Sequence, residues 1–169
     1  MSTNIVNVGT PPPQDFEDWT TREIRFHGFA NLPTTRGECV ESPEFSCLGH
    51  QWRLDIFPGG RDNSTEGYVA IRLCNMTDTG IKIQYGFSVR DADGIEVAHC
   101  KSTKEFTAVG SNAGNAWGMS IERSTLLDAL VEGSLIIEVR MKPTSTDKSI
   151  IQFIPTNPIN NNVLKLFMN

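Results

Sequence analysis

The chain has 169 residues and a net charge of −5, with 15 Lys and Arg against 20 Asp and Glu spread along its length. That length suits one well-buried domain and is short for two. The absence of a basic run argues against nucleic acid as a partner, and no apolar stretch is long enough to span a bilayer.

Taken in chain order, residues 1–20 carry Pro11-Pro12-Pro13 and few apolar anchors, and read as a flexible tail. The opening Met1-Ser2-Thr3-Asn4 shows no basic segment leading into an apolar one, so no secretory leader is expected. Strand signals then dominate. Trp52, Leu54 and Ile56 alternate with Arg53 and Asp55 and run into Phe57-Pro58-Gly59-Gly60. Val69, Ile71 and Leu73 alternate with Tyr68, Ala70 and Arg72, and Ile81, Ile83, Tyr85, Phe87 and Val89 with Lys82, Gln84, Gly86, Ser88 and Arg90. Asp91-Ala92-Asp93-Gly94 marks a hairpin before a strand beginning at Ile95, since glycine takes a positive φ without a steric penalty. Gly110-Ser111-Asn112-Ala113-Gly114-Asn115 reads as a mobile loop. A short helix follows, capped by Ser124 or Thr125, apolar at Leu126, Leu127 and Leu130, and stopped by Gly133. Leu135, Ile137, Val139 and Met141 form the last alternating run. Period-two alternation throughout predicts antiparallel sheets packed on one face, an all-β sandwich over residues 21–143. Residues 144–169, rich in Pro, Thr, Ser and Asn, read as a linker or C-terminal extension.

Residues for covalent chemistry are missing. Cys39, Cys47, Cys74 and Cys100 form no C-x-x-C pair and are expected as reduced thiols in a cytosolic or nuclear protein. The sequons at Asn63 and Asn75 would then go unused, because glycosylation needs the secretory route. His27, His50 and His99 show no metal-ligand spacing with the cysteines, and His99 beside Cys100 points to the opposite strand face. The 110–115 loop lacks the lysine and hydroxyl of a phosphate loop, residues 91–94 lack the spacing and distal Glu of a calcium loop, and there is no G-x-S-x-G elbow. Neither an enzyme nor a cofactor is expected.

An ordered set of segments over residues 22–142 resembles the MATH (meprin and TRAF homology) domain. These segments are Ile24-Arg25-Phe26-His27-Gly28-Phe29, Glu41-Ser42-Pro43-Glu44-Phe45, Trp52 to Gly60 as W-x-L-x-x-x-P-x-G, Tyr68 to Leu73, Tyr85-Gly86-Phe87-Ser88-Val89 and Trp117-Gly118-Met119. The first departs from the family, which usually has Trp near Glu23 or Ile24. The resemblance implies an eight-stranded antiparallel sandwich with one short helix, binding short segments of partner proteins. The chain is most similar to the MATH half of MATH-BTB (speckle-type POZ-like) proteins. There a shallow groove takes extended peptides, with main-chain bonds for affinity and small pockets for specificity.

Carried over by position, the peptide groove comprises Asp55, Arg72, Tyr85, Lys104, Trp117, Gly118 and Met119. Trp117, Gly118 and Tyr85 match groove positions, and Met119 stands in for an aromatic. Asp55 stands where that branch has Arg, Arg72 where it has Tyr, Lys104 near a Tyr position, and Asn115-Ala116 replaces Lys-Asp. An acidic Asp55 would favour a basic or polar peptide over an acidic one. Trp52 reads as core. The apolar patch at 162–167 resembles the lead-in to a BTB domain, and equally reads as a terminal element docking on the sandwich. The implied role is substrate recognition for a cullin-RING ubiquitin ligase, with the cullin bound by a BTB domain outside this chain. Two alternatives remain: a TRAF-type scaffold or oligomerisation domain, and a targeting module of a ubiquitin-specific protease.

Overall fold

A computed structural model describes residues 19–144. Residues 1–18 and 145–169, including the patch at 162–167, lie outside the described residues. Among the described residues, nine strands and one short helix follow in order: β1 Thr20–Phe26, β2 Val40–Glu41, β3 Phe45–Cys47, β4 His50–Phe57, β5 Tyr68–Asn75, β6 Ile81–Arg90, β7 Glu96–Phe106, β8 Ala116–Glu122, α1 Arg123–Asp128 and β9 Leu135–Pro143. A 3-10 turn at Phe29–Asn31 follows β1. One sheet runs β1-β9-β6-β7 and the other β2-β4-β5-β8, with β3 also on β4. Every strand pairing is antiparallel.

The all-β sandwich expected from the alternation is present, but the strands among the described residues number nine rather than eight. The extra one arises at Ser42-Pro43-Glu44. Glu41 pairs with Asp55, and Phe45 with Trp52, so one extra residue is inserted opposite β4. Pro43 has no N–H for a ladder, and the Ser42 hydroxyl instead accepts the Leu54 N–H at 3.0 Å. What reads as one segment becomes two short edge strands.

The alternating apolar residues meet between the sheets. Trp52, Leu54, Ile56, Leu73, Ile83, Phe106, Ile137 and Met141 are fully buried there. Trp52 stands edge-on to Phe106 at 5.1 Å and donates Nε1–H to the Cys47 carbonyl at 2.9 Å. Its burial satisfies both the ring and the polar tip. The 91–94 turn forms as expected: Asp91 Oδ1 accepts the N–H groups of Asp93 and Ile95 at 3.0 and 2.8 Å.

The helix differs from expectation at both ends. It starts at Arg123, so Ser124 and Thr125 lie inside it, and no side chain caps it. Leu126 is buried, whereas Leu127 is 39% exposed. Ala129 ends the helix, not Gly133. Glu132 and Gly133 instead take successive positive φ values of 50° and 77°. They form a two-residue turn closed by paired Val131–Ser134 hydrogen bonds, which aims the chain into β9.

Candidate functional site: the β8 edge and the arginine face beside it

β8 ends its sheet, and its backbone phase decides what it offers. Its register against β5 runs from Tyr68–Glu122 to Cys74–Ala116. Just beyond either end, Asn75 N–H donates to the Asn115 carbonyl and Arg123 N–H to the Gly67 carbonyl, both at 2.8 Å. In an antiparallel ladder such bonded pairs recur every second residue. Odd-numbered residues of β8 therefore turn their N–H and C=O groups toward β5. Those of Ala116, Gly118 and Ser120 point to the open edge, where the described residues provide no further strand.

The side chains follow the same alternation. Trp117 and Met119 lie beside Leu73 and Ile71 and pack, half-buried, against the core. Trp117 Nε1–H donates to the Glu105 carbonyl at 3.0 Å, and the Lys104 ammonium lies 4.4 Å from its ring centroid. The pair closes the side of the sandwich between β7 and β8, and the stacked cation contributes to that closure. On the outer face Ala116, Gly118 and Ser120 are all small. Gly118 sits beside Arg72 so tightly that a Cβ would fall 1.8 Å from the Ile71 carbonyl oxygen.

A concave surface of about 840 Å³ runs along this edge. Its floor is Tyr68, Ala70 and Arg72 of β5 with the rim of β8; its walls are the loops at 61–65 and 112–115. Arg36 holds the first loop by donating Nη1–H to the carbonyls of Asp62 and Ser64 at 3.3 and 2.7 Å. Nothing local in the sequence marks Arg61 or Asn63 for this surface, because the 61–67 loop reaches it only through tertiary contacts.

Of the groove residues expected from sequence, Arg72, Trp117, Gly118 and Met119 line this surface. Lys104, on β7, is not part of the lining; its ammonium lies over the Trp117 ring. Tyr85 lies elsewhere: it is 2% exposed and packs 5.5 Å from both Phe87 and Phe106 on the opposing sheet. Burial pushes its hydroxyl pKa up to about 12.

Asp55 also departs from the expected display of negative charge. It is 0% exposed. Arg53 donates Nε–H to Oδ1 at 2.7 Å and Nη2–H to Oδ2 at 3.1 Å. Arg72 donates Nε–H and Nη2–H to Oδ2 at 3.1 and 2.9 Å, and the Cys74 thiol donates to the same oxygen at 3.2 Å. Arg53 also pairs with Glu41 at 3.0 Å. Burial alone would raise the Asp55 pKa; the hydrogen bonds from Arg53, Cys74 and Arg72 overcome it and hold the carboxyl below its ordinary value. The face therefore shows solvent the arginines that cover Asp55, and the preference expected from its charge does not follow.

This arrangement predicts acid sensitivity. A depressed carboxyl stabilises the fold in full above the unfolded Asp value of about 3.9 and loses that contribution as pH falls through the folded value. Asp55→Asn should cost roughly 2–3 kcal/mol near neutrality, below the usual buried-pair loss because both arginines are partly hydrated. It should also flatten the acid limb of the stability curve. Urea unfolding of both proteins between pH 3 and 7 tests this, and parallel acid limbs would contradict it.

Cys39, Glu41 and Asp55 bring ligand atoms within 4.8 Å of one another. They suit a cation poorly. Both Asp55 oxygens are engaged by guanidinium groups, and burial with the Asp55 charge pushes the Cys39 thiol up to about 11. Cys74, pushed up to about 12 mainly by burial, is likewise a thiol at neutral pH.

No curated protein matches this chain. The sequence model of the MATH domain family matches residues 23–141, from the first strand to the last. Because that match spans most of the sequence and both sheets of the sandwich, the chain belongs to the MATH domain family, whose members are protein-interaction modules.

Proposed function

We propose that the chain binds an extended segment of a partner protein along the open edge of β8. The carrying observation is the row of outward backbone groups at Ala116, Gly118 and Ser120 beside a concave surface. An added strand satisfies such groups, while alternate side chains enter flanking pockets. The half-buried Trp117, held by Glu105 and Lys104, forms the firm wall of that edge.

A peptide-display screen against the 169-residue chain tests the reading. A shared short motif is the expected result. Trp117→Ala should then weaken the selected peptide by ~10-fold, the loss of a modest aromatic anchor. Undiminished affinity in a folded variant would remove Trp117 from the site.

The finer role proposed is substrate recognition for a cullin-RING ubiquitin ligase, in the cytosol or nucleus, with a BTB domain outside this chain holding the cullin. Its support is the resemblance to MATH-BTB proteins, including the 162–167 patch. Co-purification of a cullin with the full gene product tests it; a product without a BTB domain would remove its basis.

A further inference from the structure

We infer that the segment bound along β8 carries an anionic side chain, a phosphorylated Ser or Thr or a carboxylate, which is read by Arg72 and Arg61. This rests on the strand-addition reading above and adds the chemistry of the ligand.

The lining of the concave surface carries the inference. It contains Arg61 and Arg72 and no Asp or Glu, in a chain whose net charge is −5. A smaller adjoining hollow is lined by the same two arginines together with Phe57 and Asp62, and Asp62 forms an ion pair with neither of them. The guanidinium carbons of Arg72 and Arg61 lie against the same Phe57 ring, at 5.1 and 5.9 Å from its centroid. Arg72 commits Nε and Nη2 to Asp55, and Nη1 has no partner among the described residues. Arg61 has no carboxylate partner among them either. Asp55 thus acts as a buried positioning group. It fixes the Arg72 fork from below and leaves an N–H edge for a ligand above.

The register supplies the route. Gly118 is the β8 residue directly beside Arg72. A residue added opposite Gly118 would place its side chain on the same sheet face, because side chains of paired strands share a face. No side chain at Gly118 stands between that group and Arg72, and its neighbours two residues away are Ala116 and Ser120. Planar, fixed guanidinium groups suit oxyanions, and a charge-assisted bond exceeds a neutral one in strength.

The test uses the 169-residue chain and four immobilised peptide libraries with a central phosphoserine, Glu, Ser or Lys and randomised flanks. The phosphoserine library, the Glu library or both should be retained over Ser and Lys, by about tenfold for one net charge-assisted bond. That preference should shrink as salt rises. In Arg61→Ala, which leaves Asp55 its partners, the ratio of anionic to Ser retention should fall toward unity; in Arg72→Lys it should fall in part. Phosphoserine above Glu identifies phosphate as the ligand chemistry, and equal retention shows that a carboxylate suffices. If Ser, Glu, phosphoserine and Lys libraries are all retained alike, or if Lys is preferred, the anionic reading is wrong while strand addition stands. Retention of none of the four overturns strand addition and the present inference with it.

Discussion

Gly118→Ala is expected to detach β8 from its sheet and abolish partner binding. The added methyl would fall 1.8 Å from the Ile71 carbonyl oxygen and 2.7 Å from the Arg72 Cα. Both are backbone atoms in the interior of β5, so no side chain can rotate away, and one strand must move. Overpacking usually costs ~1–3 kcal/mol, and a backbone clash of this depth belongs at or beyond the upper end. The loss should be local before it is global. Amide hydrogens of Trp117 and Met119, which face β5, should exchange much faster, while those of β9 stay protected. Unchanged exchange at Trp117 and Met119 would mean that β5 and β8 are not packed as described.

Trp52→Ala should bring the whole fold close to unfolding. The side chain is fully buried, stands 5.1 Å from Phe106 and donates to the Cys47 carbonyl at 2.9 Å. Removing it leaves a cavity between the two sheets and strips the carbonyl of its donor. A buried Trp deletion costs ~3–5 kcal/mol, against a total stability of about 5–15 kcal/mol for an ordinary domain. Urea unfolding monitored by circular dichroism measures the loss directly. A cost below that of Trp117→Ala would contradict the placement of the two rings, since Trp117 is only half-buried at the rim.

The contrast between these tryptophans shows where sequence reading stops. Alternation around Trp52, and its place in W-x-L-x-x-x-P-x-G, indicated an inward ring, and the structure agrees. The alternation at 68–73, 81–89 and 135–141 likewise marked strands β5, β6 and β9, because one buried sheet face imposes a period of two on any sequence that forms it. Pro43 split one expected segment into β2 and β3 through a hydrogen bond from Leu54 to Ser42, a contact between residues twelve apart in sequence. The helix stop was misplaced for a similar reason: Gly133 serves the turn into β9, and only the docking of β9 requires that turn.

The candidate site was legible as a set of positions but not as a surface. Trp117, Gly118 and Met119 are adjacent in sequence and fell together. Tyr85 alternates as a strand residue should, yet alternation does not say which face of which sheet a residue joins, and it lies in the core. Asp55 shows the limit most clearly. As a charged residue in a half-apolar strand, it reads as exposed. It is buried because Arg53, two residues away on its own strand, and Arg72, opposite it on β5, both turn onto its carboxylate. By itself the sequence determined the fold class, the core strands and the family, all set by local periodicity and short motifs. Only the tertiary structure decided which backbone groups of β8 remain unpaired and which sign of charge the face presents. Both depend on strand register and on ion pairs formed across the sheet, which no local pattern encodes.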